Sequence, residues 1–233
     1  MGASDHRDIA VLCTLGLRSV VMDIADAFAR TSGYALAAEY QSSKALVQRI
    51  ADGLSADVAI VTDMAIAALI NEGKILADSR RNLASSGVGL AVRQGARKPD
   101  ISSAATLKQT LLAARGIAFS HTGASGIHFA DVIDRLGIAE NVRAKARIQD
   151  GLVGELAARG EVEIAVQQIS ELRQVAGLDV IGPLPPELQQ ETIFCAGIFA
   201  ASKNKAAATA LITRLASAET AAIIDSKGMQ ALR

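Results

Sequence analysis

The sequence predicts an α/β fold of two doubly wound lobes joined by a two-segment hinge, with the second lobe inserted into the first. Three observations predict it. Short apolar runs alternate with stretches whose apolar residues recur every three or four positions, as buried parallel strands alternate with amphipathic helices. The pattern changes character near Asn82, where a second alternating series begins. The chain has 233 residues, 50% of them hydrophobic, which suffices for two cores of roughly 100 residues each and excludes a disordered chain.

The first series opens on Ile9-Ala10-Val11-Leu12-Cys13, a continuous apolar run expected of a strand buried on both faces. Val20, Ile24 and Phe28 follow at helical spacing and Gly33 stops that helix. Residues 35–40 read as a second strand. Ser43 opens a helix through Leu46, Val47 and Ile50 that closes at Gly53. Residues 57–62 are a third strand, and a helix over 63–72 ends at Gly73. In the second series, 87–92 reads as a strand, 106–115 as a helix and 116–120 as a strand. The turn His121-Thr122-Gly123-Ala124-Ser125-Gly126 leads into a helix through Phe129, Val132, Ile133 and Leu136. A strand is expected over 142–148, then a helix capped by Asp150 and ending at Gly160, then a strand over 162–167. Pro183, Pro185 and Pro186 mark an extended exit segment. A strand over 193–200 and two Ala-rich helices, about 204–216 and 218–226, close the chain. The expected division is 1–83 with 200–233 for lobe 1 and 84–199 for lobe 2, hinged near 82–86 and 190–200; two crossings imply a cleft that closes on a ligand.

Composition removes several function classes. Lys and Arg total 24 and Asp and Glu total 24, and aromatics are 3%; a nucleic-acid partner needs phosphate neutralisation and stacking platforms that this balance does not offer. No apolar run reaches the length of a membrane helix, so no membrane insertion is expected. Cys13 and Cys195 both lie in apolar runs and read as buried thiols, a disulfide being the alternative. No His, Cys or Asp cluster has metal-ligand spacing, Gly123–Gly126 is not followed by Lys-Ser/Thr as in a phosphate loop, and Gly87-Val88-Gly89 lacks the rest of a dinucleotide fingerprint. No metal and no cofactor are therefore expected. Residues 1–8 carry no secretory leader; the chain as written is expected in the cytoplasm, or in the periplasm if a leader was removed.

In an open α/β sheet the ligand lies beyond the C-terminal strand ends. The turns there are 14–19, 41–44, 121–126, 149–151 and 167–171, each leading into a helix start with free backbone N–H groups and positive partial charge. Ser, Thr and Asp at such places are also ordinary N-caps. Arg18 and Lys44 are the cations beside these turns, suited to a carboxylate or oxyanion, although either also reads as a surface charge. His128, three residues into its helix, and Glu171 are the candidates for proton transfer, with Asp150 a further acid/base candidate.

From Ile9 to about Met229 the chain resembles the molybdate-binding type of periplasmic solute-binding protein. The matching stretches, in order, are Ala27–Tyr34, Ser42–Ile50, Gly53–Val58 and Lys227-Gly228. The resemblance implies the type 2 periplasmic-binding fold, a small anionic ligand and an ABC-transporter permease as partner; oligomeric state is left open. In that family hydroxyls and backbone N–H groups of several strand–helix turns, with a tyrosine, hold the oxyanion. Carried onto this chain, these places fall on Leu15 and Gly16, Ser42 and Ser43, Ser125 and Gly126, Asp150 and Gly151, and Gln168. The first turn lacks the usual serine, Gly123-Ala124 stands where a proline is expected, and Gln168 replaces the tyrosine. These departures, with Lys44 at the second turn, favour a di- or tricarboxylate over molybdate. Ala124–Phe129 and Val166–Glu171 are similar to a branch of the same fold that includes aconitate isomerases, which shift a double bond in a tricarboxylate by proton transfer. Two functions follow: a solute-binding protein that delivers an anion to a transporter, or an isomerase working in the same cleft. A regulatory domain would carry a DNA-binding module, for which the length leaves no room.

Overall fold

The computed structural model describes residues 8–232, and the expectation about a leader falls on residues outside that range. The chain forms two compact units: unit 1 runs to Ser85 and resumes at Ile193, and unit 2 is Ser86–Thr192. In chain order the elements are β1 (Ile9–Thr14), α1 (Arg18–Ser32), β2 (Leu36–Gln41), α2 (Ser43–Ala51), β3 (Val58–Thr62), α3 (Asp63–Asn71), β4 (Arg81–Arg93), α4 (Ala104–Ala113), β5 (Ile117–Phe119), α5 (Ala124–Arg135), α6 (Ala139–Arg143), β6 (Ala146–Ile148), α7 (Gly154–Ala158), β7 (Ile164–Gln168), α8 (Ile169–Leu172), β8 (Leu178–Pro183), β9 (Glu191–Ile198), α9 (Lys205–Leu215), α10 (Ala218–Ser226) and β10 (Gln230–Ala231). The units meet along the chain inside β4 and β9. The α/β class, with helices on both faces of mixed sheets, is as the sequence predicts.

In unit 1, β1 pairs in parallel with β2, Ile9 opposite Leu36 through Thr14 opposite Gln41, and with β3, Val11 opposite Val58. β9 runs antiparallel to β3, and β10 pairs antiparallel with the start of β4. Successive strand residues point to opposite faces, and β1 shows the consequence. Val11 and Cys13 enter one core with Val20, Ile24 and Phe28 of α1 and with α9 and α10. Leu12 enters the other, with Leu46 and Ile50 of α2 and Ile66 and Leu69 of α3. The two cysteines are buried, unpaired and on opposite faces, so the disulfide alternative falls away. Burial pushes the Cys13 thiol well up. Gly33 ends α1 in the left-handed conformation at φ 77°, the strain-free choice for a residue without Cβ. Among the described residues no single helix is long and apolar enough to cross a membrane.

Asp57, 7% exposed, locks unit 1. Its carboxylate accepts from Ala10 N at 3.0 Å, Ser202 Oγ at 2.6 Å and Asn204 Nδ2 at 3.3 Å, joining β1 to the approach of α9. Asp57→Ala removes these charge-assisted bonds and strands buried donors, so it is expected to cost about 2–4 kcal/mol. Urea denaturation checks this, and an unchanged midpoint would count against the lock.

In unit 2, β7 runs antiparallel to β4, Val88 opposite Gln168, and parallel to β5, which also pairs in parallel with β6. One core gathers Leu90, Val92, Ile117, Phe119, Phe129 and Val166, with the Phe119 and Phe129 rings edge to face at 5.1 Å. The opposite face packs Ala91, Ala118, Ala165, Leu156 and Leu172.

Several local expectations are corrected. The strand expected over 142–148 is confined to Ala146–Ile148, β6, since residues 142 and 143 end the short helix α6. Asp150 does not cap the next helix, which starts at Gly154 with Val153 in the N-cap position. The helix placed at 106 begins at Ala104, because Ser103 and Thr106 form a reciprocal capping box. The proline-marked segment contains a strand, β8, ending at Pro183 and pairing with β4. β8 pairs with β4 alone, and a proline is tolerated in such an edge strand.

Candidate functional site

In unit 1 the parallel strands β1, β2 and β3 end side by side and each leads directly into a helix. Thr14 leads through the 3-10 turn Leu15–Leu17 into α1. Ser42 is the N-cap of α2, its hydroxyl accepting from Ala45 N at 3.3 Å. Ser43 Oγ accepts from Thr62 N at 3.2 Å, so the first residue of α2 is tied to the end of β3. Gly16 is buried, and a Cβ there would stand 2.5 Å from Phe194 Cζ, which explains a glycine in this turn. Leu15 is half-buried beside it. Arg18, the first residue of α1, places its guanidinium 5.8 Å from the centre of the Tyr40 ring. Tyr40 is pushed up to about 12, chiefly by burial, with Cys13 adding and Arg18 opposing; it stays protonated at neutral pH. Lys44 is exposed.

In unit 2 the ends of β5, β6 and β7 form a second group. Ser120 Oγ accepts from Gly123 N at 3.1 Å. α5 begins so close to this strand end that a Cβ on Gly126 would lie 1.7 Å from Ser120 O; Ser125 is 1% exposed. The Thr122 hydroxyl donates to Asp150, and His121 Nδ1 is 3.6 Å from the same carboxylate. Asp150 is thus engaged by the β5–α5 turn, and Gly151 turns the chain at φ 86°.

Beneath this edge is a buried polar cluster. Gln167 Nε2 donates to Gly151 O at 2.8 Å and its Oε1 accepts from Gly154 N at 3.4 Å, so one amide shapes the β6–α7 loop. Gln168, 2% exposed, is fully satisfied with Nε2 donating to Ser86 O at 2.9 Å and Gly87 O at 3.1 Å while Oε1 accepts from Thr192 Oγ1 at 2.8 Å. The Gln168 amide, expected at the ligand, joins segments of unit 2. Glu171, 8% exposed, is pushed up to about 7 by burial, against the opposing pull of bonds from the Gln167 side chain and the Gln168 backbone. His128 is half-buried, and with its proton on Nε2 it donates to Leu188 O at 2.7 Å. That leaves Nδ1 as the ring nitrogen available for proton transfer.

The structure therefore brings Leu15, Gly16, Arg18, Ser42, Ser43 and Lys44 to one edge of unit 1. It brings Ser125, Gly126, Asp150 and Gly151 to one edge of unit 2, with Glu171 in the cluster behind it. Sequence reasoning missed the buried Ser86, Ser120 and Thr192; only the Gln167-Gln168 pair ending an apolar run signalled a polar interior there. Among the described residues no group of His, Cys, Asp and Glu could hold a metal ion.

The family model for bacterial extracellular solute-binding proteins matches residues 9–230. An aconitate isomerase from Pseudomonas sp. is 34% identical over 237 residues, covering 99% of this chain and 90% of that protein. The periplasmic molybdate-binding protein of Azotobacter vinelandii superposes with a TM-score of 0.81 at 20% identity, covering 97% of this chain and all of that one. The sulfate-binding protein SubI of Mycobacterium tuberculosis does so with a TM-score of 0.76 at 18% identity, covering 97% and 88%. These likenesses agree with the type 2 periplasmic-binding fold that the sequence motifs implied. On the family match and the coverage of its relatives, this chain belongs to the bacterial extracellular solute-binding protein family.

Proposed function

We propose that the chain binds a small anion, a di- or tricarboxylate, as a solute-binding protein of the ABC-transporter type with a permease as its partner. The observation that carries this reading is the arrangement at the edge of unit 1. Three parallel strand ends present helix starts and the hydroxyls of Ser42 and Ser43 beside the half-buried guanidinium of Arg18. Helix starts supply N–H donors for an oxyanion, and a guanidinium matches the planar carboxylate group. In unit 2 the α5 start at Ser125 and Gly126 and the turn at Gly151 offer backbone N–H donors of the same kind. Hinged movement near 82–86 and 190–200 on binding belongs to the same proposal. Thermal unfolding with and without trans-aconitate, citrate, sulfate and molybdate tests it. A ligand at 100 times its Kd adds about 2.7 kcal/mol, expected for the tricarboxylates. Stabilisation by sulfate or molybdate alone would overturn the carboxylate assignment.

A second reading, isomerisation, is favoured by the 34% identity to an aconitate isomerase and by the buried Glu171 carboxyl held near 7. Such a group is a poised proton carrier at neutral pH. Its carboxylate would remove a proton from the CH2 group next to the double bond. The resulting allylic anion would take the proton back at its other end, moving the double bond with no other reagent. The ultraviolet absorbance of trans-aconitate with protein is expected to drift to a new equilibrium value if this occurs, and a flat trace would leave binding alone.

A further inference from the structure

A second arginine reaches from the start of β4 towards the end of β3. Arg80 precedes β4, is half-buried, and sets Nη2 3.8 Å from Cys195 Sγ and 3.5 Å from Asn82 Oδ1. The Cys195 thiol donates to the same Asn82 oxygen at 3.1 Å. Cys195 stands opposite Val61 in the β3–β9 pair, one residue short of Thr62, whose N–H meets Ser43 Oγ. A chain of contacts thus runs from Arg80 through Cys195 to the start of α2. Asp63, in the first turn of α3, acts on Cys195 from the same end.

Arg49, Arg115, Arg135, Arg143, Arg159 and Arg214 each have a carboxylate within 4.0 Å. Arg80 has a thiol and an amide oxygen, and no carboxylate among the described residues lies within ion-pair distance of it. A partly desolvated guanidinium without a counter-charge is costly unless an anion completes it. Arg18, the first residue of α1, is half-buried too and has no carboxylate within ion-pair distance among the described residues. Guanidiniums without a carboxylate partner suit a ligand that brings carboxylates of its own.

Resting on the carboxylate reading above, we infer that Arg80 is a recognition residue for a ligand carboxylate, selecting polycarboxylates over inorganic oxyanions. Isothermal titration of the full chain with trans-aconitate tests it, using wild type, Arg80→Gln and Arg80→Lys, with circular dichroism to confirm folding. The glutamine variant is expected to bind tenfold or more weakly, and the lysine variant to fall between it and wild type because it keeps charge but loses the planar fork. A smaller loss in the glutamine variant overturns the inference while the carboxylate reading stands. If that variant does not fold, lysine decides, and an affinity equal to wild type overturns it. If wild type binds sulfate or molybdate and neither trans-aconitate nor citrate, the carboxylate reading fails and this inference with it.

Discussion

Gly126→Ala is expected to destabilise the protein by about 3 kcal/mol or to prevent folding. The added methyl would stand 1.7 Å from the carbonyl oxygen of Ser120 and 2.6 Å from its carbon, so backbone must move, and buried overpacking of this kind is costly. Only the first turn of α5 or the end of β5 could yield, and both belong to the candidate edge of unit 2. The variant should therefore lose ligand-induced stabilisation along with intrinsic stability. Gly16→Ala is the informative contrast, since its methyl meets a phenyl ring, Phe194, that can tilt. Urea unfolding of both variants checks the order, and a Gly126→Ala midpoint equal to wild type would show that the turn accommodates a side chain.

Stability is expected to fall on the alkaline side because of Glu171. Its carboxyl titrates near 4.5 in the unfolded chain and at about 7 when folded, so the folded state favours the protonated form. The associated stability is complete below pH 4.5 and is lost as pH rises through 7, on the order of 3 kcal/mol over the window. Glu171→Gln keeps the shape and cannot ionise. The difference in unfolding free energy between variant and wild type should therefore shift in favour of the variant by that amount from pH 4.5 to pH 8. Parallel stability curves would show that the carboxyl is hydrated when folded. If the chain is an isomerase, the same substitution also abolishes turnover.

The strands that the sequence shows most plainly are those buried on both faces: Ile9–Cys13 and residues 57–62 are apolar at nearly every position, and no helix period fits them. The misread stretch at 142–148 has a different physics. A helix as short as α6 buries one residue, Val142, and so leaves no period to count. Ala146 and Ile148 of β6 continue the alternation that begins at Val142, so the strand start is read too early. Asp150 is a good N-cap by local preference, yet Thr122, 28 residues away, engages its carboxylate. Turns at strand ends were legible because glycine, serine and threonine gather there. Arg80 was not, because it stands outside any strand-end turn and its meaning depends on Cys195, 115 residues further on.

Gln168 joins Ser86 and Gly87, where the chain enters unit 2, to Thr192, where it leaves. The inserted polypeptide is thereby fastened at its base like a loop drawn through a ring. Lengthening or shortening its outer segments would leave the spacing of its two attachment points unchanged. Variation in unit 2 can then proceed without re-engineering the strands of unit 1 that flank it.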